Sequence, residues 1–203
     1  MKLYRDQFIR YIEEDRLIVS VKEARHLEKA LASPARVIFL LTGNIGVVKR
    51  YVQLFQQEGK LVFLHMEKIG GLSCDKEGMH FLSSYLKPTG IVSTKNSMIK
   101  LANRLGLLTI QRLFLIDHDA LHHGLQSVEE NQPDAVEVMP ALLPSYLDYL
   151  RSKTEYPLIT GGLIQNQEQM KLALCHGARA VSTGTPVLWK ELPTDVKNSY
   201  CTL

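Results

Sequence analysis

A chain of 203 residues, 45% hydrophobic and 22% charged, is long enough to bury one full core and reads as a single domain over 1–203. Its formal charge of +3, with Lys and Arg interspersed among Asp and Glu, permits a nucleic-acid partner without arguing for one and excludes a basic tail. There is no charged opening segment followed by an apolar run, no stretch near the ~18 apolar residues of a membrane span, and no Cys/His cluster for zinc.

Cys74, Cys175 and Cys201 are far apart and odd in number, which fits a reducing cytoplasm. Tyr4–Ile12 is predicted to form a short helix able to plug one end of a barrel. Strand-like runs follow at Leu17–Val21, Val37–Thr42, Leu61–Met66, Gly90–Thr94, Leu108–Ile116, Ala135–Met139, Leu158–Thr160 and Ala180–Thr183. Each is short, apolar and closed by a polar or Gly-containing turn, as in parallel strands buried on both faces.

Helical patterns lie between them. Gly46–Gln57 puts Val47, Val48, Tyr51, Val52 and Phe55 on one face. Asn96–Leu105 opens on a capping-type Asn and stops before Gly106, Leu143–Leu150 follows Pro140, and Gln167–His176 stops at Gly177. One β/α unit recurs roughly every 20 to 27 residues, which favours a (β/α)8 TIM-type barrel over an open doubly wound sheet. About twenty residues follow the last strand, so the final helix is expected to be short, and there is little room for a long lid.

In such barrels the chemistry sits where the strands end. Gly161 and Gly162 close the seventh strand, and Ser182, Thr183 and Gly184 close the eighth. Glycine allows backbone N–H groups close to an oxygen, hydroxyls add donors, and Pro186 favours a helix start, so these five residues are the expected phosphate site. His65, Glu67 and Lys68 follow the third strand, and Lys95, Gln111, Arg112, Asp117 and Glu137 come from strands four to six. Of these, His65, Glu67, Lys95, Gln111, Arg112, Asp117 and Glu137 are the expected contacts to the rest of a charged polyol. Glu137 lies between Val136 and Val138; a lumen carboxylate there needs a partner, for which Arg112 and Lys95 are candidates. No metal, catalytic residue or cofactor is assigned. Acid/base work by Glu67, Glu137, Lys95 and His65 stays open, although no long loop is available to close over a substrate.

At these positions the sequence resembles the glycerol uptake operon antiterminator regulatory proteins, the glycerol-3-phosphate-responsive antiterminators. The resemblance runs from about Phe8 to Trp189. It is carried by VFLHMEKIGGLSCDKEGMHFL at Val62–Leu82, GIVSTKNSMIKLANRLGLLTIQRLFLID at Gly90–Asp117, PDAVEVMP at Pro133–Pro140, PLITGGLI at Pro157–Ile164 and GARAVSTGTPVLW at Gly177–Trp189. It implies a barrel that binds glycerol 3-phosphate as effector and acts on the leader mRNA of glycerol-utilisation genes to prevent early termination. RNA binding enters only through this resemblance. Lys95, Lys100 and Arg104, on or near one helix, are the expected RNA contacts, and the loop Gly70–Gly78 the expected switch. A small phosphotriose- or phosphosugar-processing barrel enzyme is the alternative, and a metabolite-sensing scaffold for a protein partner a third reading. The oligomeric state, with a homo-oligomer among the options, is left open.

Overall fold

The computed structural model of the protein describes residues 2–141 and 143–193. Cys201 lies outside the described residues. Eight parallel strands, β1 (Leu17–Val21), β2 (Val37–Leu40), β3 (Leu61–His65), β4 (Gly90–Ser93), β5 (Leu108–Phe114), β6 (Ala135–Met139), β7 (Leu158–Gly161) and β8 (Ala180–Thr183), pair in sequence order. β8 returns to β1 with Leu17 opposite Val181, closing a (β/α)8 barrel.

The helix α1 (Arg5–Asp15) precedes the barrel. Those outside it are α2 (Leu27–Leu31), α3 (Val48–Gln57), α4 (Lys76–Phe81), α5 (Asn96–Arg104), α6 (His118–Asn131), α7 (Pro144–Lys153) and α8 (Gln167–Cys175). A 3₁₀ turn, Pro186–Trp189, follows β8 where a short final helix is expected.

Alternation along each strand divides the apolar residues into two layers. One set, including Ile18, Phe39, Phe63, Val92, Ile110 and Ile159, fills the lumen. The other packs under the helices, against Val52 and Phe55 of α3, Ile99 and Ala102 of α5 and Met170 of α8. Phe8 and Ile12 of α1 join the lumen set, with the Phe8 ring 4.9 Å from that of Phe63. Each is fully buried, worth roughly 1.5–3 kcal/mol per side chain, so α1 is an integral plug at the N-terminal end. It runs past Ile12 to Asp15, where Arg16 turns left-handed at φ +53° and returns its N–H to the Ile12 carbonyl. The buried Asp15 accepts from the Arg36 backbone N–H at 2.8 Å, tying the plug to the start of β2.

Several local expectations shift. β5 stops at Phe114, because Leu115 bonds only to Met139 beyond it and Ile116 stands 83% exposed. Asn96 is the first residue of α5 rather than its cap; Lys95 holds the cap position and its N–H is taken by the Ser93 hydroxyl at 3.0 Å. The last three residues of the segment Gly70–Gly78 are the start of α4. Asp75 caps α4 by accepting from Gly78 N–H, and Gly70 exchanges backbone bonds with Gly43 and Ile45 of the loop after β2.

Candidate functional site

The lumen turns polar at the C-terminal end, and the same alternation that fills it with hydrocarbon selects the polar residues. β5 presents Leu108, Ile110 and then Arg112; β6 presents Ala135 and then Glu137; β8 presents Ala180 and then Ser182. Arg112 Nε donates to Glu137 Oε2 at 2.6 Å, and the Ser182 hydroxyl donates to Glu137 Oε1 at 2.5 Å. The Arg112 and Glu137 side chains are 6% and 0% exposed. A carboxylate buried this deeply persists because both of its oxygens are met.

Above this pair opens a cavity of about 700 Å³. Its polar wall is Ser20, Lys22, Lys68, Arg112, Ser182 and Thr183, with Gly162 and Gly184 between them and Leu41 and Met139 on the apolar side. The lining holds three cationic side chains and no carboxylate among the described residues. Glu137 balances Arg112 from below, which leaves Lys22 and Lys68 as uncompensated positive charge for an anion.

The loops that form the wall are braced. The Trp189 indole N–H donates to the Thr183 carbonyl at 2.9 Å, and the Thr183 hydroxyl accepts from Thr185 N–H at 3.2 Å. Thr185 Oγ1 donates to the Ile164 carbonyl at 3.1 Å, joining the loop after β8 to the loop after β7. Gly162 has φ +80°, which glycine adopts freely, and Leu163 follows at φ +60°, which a branched residue adopts only under strain. At Gly184 a Cβ would lie 2.7 Å from Lys22 Cε, so the bare backbone leaves room for the end of the Lys22 chain to lie across the loop.

A second polar cluster stands at the ends of β3 and β4, outside the cavity lining. His65 is buried, with Nδ1 3.0 Å from Glu67 Oε2, close enough for an ion pair but out of line for a hydrogen bond. The other Glu67 oxygen accepts from the Ser93 hydroxyl at 2.6 Å and from Thr94 N–H at 3.2 Å. Burial pushes the Glu67 carboxyl up, but the His65 and Ser93 contacts outweigh it and hold the group at about 2.

Of the residues expected to bind phosphate, Gly162, Ser182, Thr183 and Gly184 line the cavity, and Arg112 joins them. Gly161 does not. A Cβ there would fall 2.1 Å from Ser182 Oγ, so this glycine serves the packing of Ser182 beside Glu137. Gln111 faces outward, because it is out of phase with Arg112. Its amide donates to Ser127 Oγ at 2.6 Å and accepts from Asn131 at 2.9 Å. Asp117 is the N-cap of α6, accepting from Ala120 N–H at 2.7 Å. Lys95 is an exposed residue heading α5 and stands apart from Glu137, whose partner is Arg112. Lys100 lies 3.8 Å from Glu130 and Arg104 sits in the last turn of α5, so Lys95, Lys100 and Arg104 extend along one helix without converging. Ser20 and Lys22 went unrecognised in the sequence; applying the strand-end rule to β1 finds them both.

Fold and cavity together define a (β/α)8 barrel with a cation-lined mouth between its seventh, eighth and first strands. The model of the family described as glycerol-3-phosphate responsive antiterminator matches residues 17–189, and the chain belongs to that family. Over 178 residues it is 32% identical to the uncharacterized protein YgcP of Escherichia coli (strain K12), covering 88% of this chain and 93% of that one. The crystal structure of a glycerol uptake operon antiterminator regulatory protein from Listeria monocytogenes superposes with a TM-score of 0.82 at 33% identity, over 85% of this chain and 94% of that one. A glycerol uptake operon antiterminator-related protein from Thermotoga maritima gives 0.75 at 26% identity, over 85% and 96%. No helix among the described residues is long and apolar enough to cross a membrane.

Proposed function

We propose that the mouth cavity binds glycerol 3-phosphate and that the loaded barrel binds the leader mRNA of glycerol-utilisation genes, preventing early transcription termination in the cytoplasm. The observation that carries the ligand is the cavity wall, with Lys22 and Lys68 unpaired by any lining carboxylate beside the hydroxyls of Ser20 and Ser182. Amino groups and backbone N–H groups of the glycine-containing loops satisfy the phosphate, and the seryl hydroxyls meet the glycerol hydroxyls. Arg112, fixed by Glu137, presents its remaining guanidinium N–H groups upward. Family membership supports the RNA half of this reading. Calorimetry tests the ligand half: glycerol 3-phosphate is expected to bind far more tightly than glycerol or inorganic phosphate alone. Equal affinity for phosphate alone would reduce the site to an anion site.

One observation keeps an enzyme reading in view. His65 beside Glu67 is an imidazole–carboxylate pair near a phosphate-type cavity, and barrels of this kind host many chemistries. As a regulator the chain uses glycerol 3-phosphate as an effector without altering it. A phosphorus NMR time course on the purified protein is expected to show no product; turnover abolished by Glu67→Gln would establish the enzyme.

A further inference from the structure

The opposite end of the barrel carries a second cavity, about 640 Å³, at the N-terminal ends of β7 and β8. Arg16, Arg151 and Arg179 line it, together with Glu13, Glu155 and Tyr156. None of these residues belongs to the mouth, and the proposed ligand leaves them without a role.

Three separate elements supply the arginines. Arg16 ends α1, and its carbonyl accepts from Val181 N–H at 2.9 Å. Arg179 precedes β8, and its N–H donates to the Leu158 carbonyl at 2.7 Å. The backbones of both are therefore fixed to the barrel. Arg151 sits in the last turn of α7. Its aliphatic chain crosses Gly177, where a Cβ would fall 2.6 Å from Arg151 Cδ. Gly177, at φ +97° where glycine is favoured, thus leaves room for the arginine to lie along the cavity. Arg179 has an ion-pair partner, Glu13 at 3.3 Å, but both side chains are exposed and such a pair exchanges readily with a phosphate.

The mixture of charges selects the kind of ligand. Glu13 and Glu155 among three arginines would repel a compact, multiply charged anion. They suit a polymer whose phosphates are spaced apart and whose sugars bring hydroxyl donors. A carboxylate accepts a hydrogen bond from a ribose 2′-hydroxyl, which deoxyribose lacks. Tyr156 packs one side against the core cluster that includes Leu150 and Leu158, and the part of it that lines the groove is where a base can stack.

We propose that this arginine groove is the RNA contact surface, taking a single-stranded segment of RNA. The proposal rests on the RNA-binding reading above and replaces the helix surface of Lys95, Lys100 and Arg104. The groove and the mouth share two strands. β7 begins at Leu158 in the groove and ends at Gly161, one residue before Gly162 of the mouth, and β8 begins beside Arg179 and ends at Ser182 and Thr183 of the mouth, one residue before Gly184. β7 and β8 are therefore the elements common to the ligand end and the RNA end of the barrel.

The test is an anisotropy titration of the full chain with fluorescein-labelled leader RNA of a glycerol-utilisation gene, with saturating glycerol 3-phosphate, at about 50 and about 200 mM salt. Arg151→Gln/Arg179→Gln is expected to weaken RNA binding at least ~10-fold and to lower the salt slope by about one for each arginine removed. Its glycerol 3-phosphate affinity is expected to stay at the wild-type value, which also reports that it folds. In the wild-type chain, 4-thiouridine RNA is expected to crosslink to peptides carrying Tyr156 or Arg179. Wild-type RNA affinity and slope in the double variant, or crosslinks confined to α5, overturn the groove and leave the RNA reading standing. A wild-type chain that binds no RNA at either salt overturns both.

Discussion

Arg112 donates to Glu137 at 2.6 Å beneath the mouth cavity, with both side chains shut away from water. Removing one partner leaves the other charge buried and uncompensated. Glu137→Gln is therefore expected to cost about 3–5 kcal/mol. Arg112→Met/Glu137→Gln is expected to cost clearly less than the sum of the two single changes. Urea unfolding of the two single variants and the double variant measures this; strict additivity would mean the residues do not act as a pair.

Neighbouring glycines are expected to fail in different ways. Gly161→Ala drives a Cβ to 2.1 Å from Ser182 Oγ and 2.8 Å from the Ser182 carbonyl, so it is expected to destabilise the barrel by about 1–3 kcal/mol or more. At Gly162 the nearest atom is Met139 at 3.7 Å, and the cost is that of a left-handed alanine, roughly 1–2 kcal/mol. Thermal unfolding should rank Gly161→Ala below Gly162→Ala. The reverse order would mean that Gly161 does not pack against Ser182.

The phosphate half of the proposed ligand should depend on Lys22 and Lys68. Loss of one charge-assisted contact is worth roughly 1.5–3 kcal/mol, so Lys22→Met and Lys68→Met are each expected to weaken glycerol 3-phosphate binding about 10- to 100-fold. Both side chains are exposed, so stability is expected to hold within about 0.5 kcal/mol. Calorimetry beside thermal unfolding checks this, and unchanged affinity in both variants would remove the amino groups from the site.

Glu67 sets an acid-side dependence. Its folded value of about 2 lies below the ordinary 4.5, so its contribution is fully present above 4.5 and is lost as pH falls towards 2. Glu67→Gln removes that dependence, so its stability is expected to change less between pH 5 and pH 2.5 than the wild type's, with unfolding midpoints as the readout. Parallel curves would show that Glu67 titrates alike folded and unfolded.

The barrel was legible in the sequence because buried parallel strands must be apolar runs and the runs recur with the spacing of β/α units. The plug was legible as a short helix over Tyr4–Ile12, and the structure shows that Phe8 and Ile12, one turn apart on it, are what it buries. The site was legible in part. A rule that selects strand ends picks residues by position along the strand, not by the side they face, so it took Gln111 together with Arg112. Counting alternation from Leu108 and Ile110 separates them, since Arg112 shares their face and Gln111 does not. Asp117 carries a capping signal, an Asp directly before a helix, which competes with any ligand role. Lys22 directly follows β1, so the strand-end rule reaches it; what the sequence does not show is which neighbours it lies against. Its chain end lies against the bare backbone of Gly184, a tertiary contact between the first and last β/α units.

If the proposed function holds, glycerol 3-phosphate and leader RNA bind this chain together rather than separately. The most direct measurement is leader-RNA affinity with and without saturating glycerol 3-phosphate, alongside ligand affinity with and without saturating RNA. The account predicts that each raises the other's affinity by the same factor, about 5-fold or more. RNA isotherms that superimpose in the presence and absence of the ligand would contradict it.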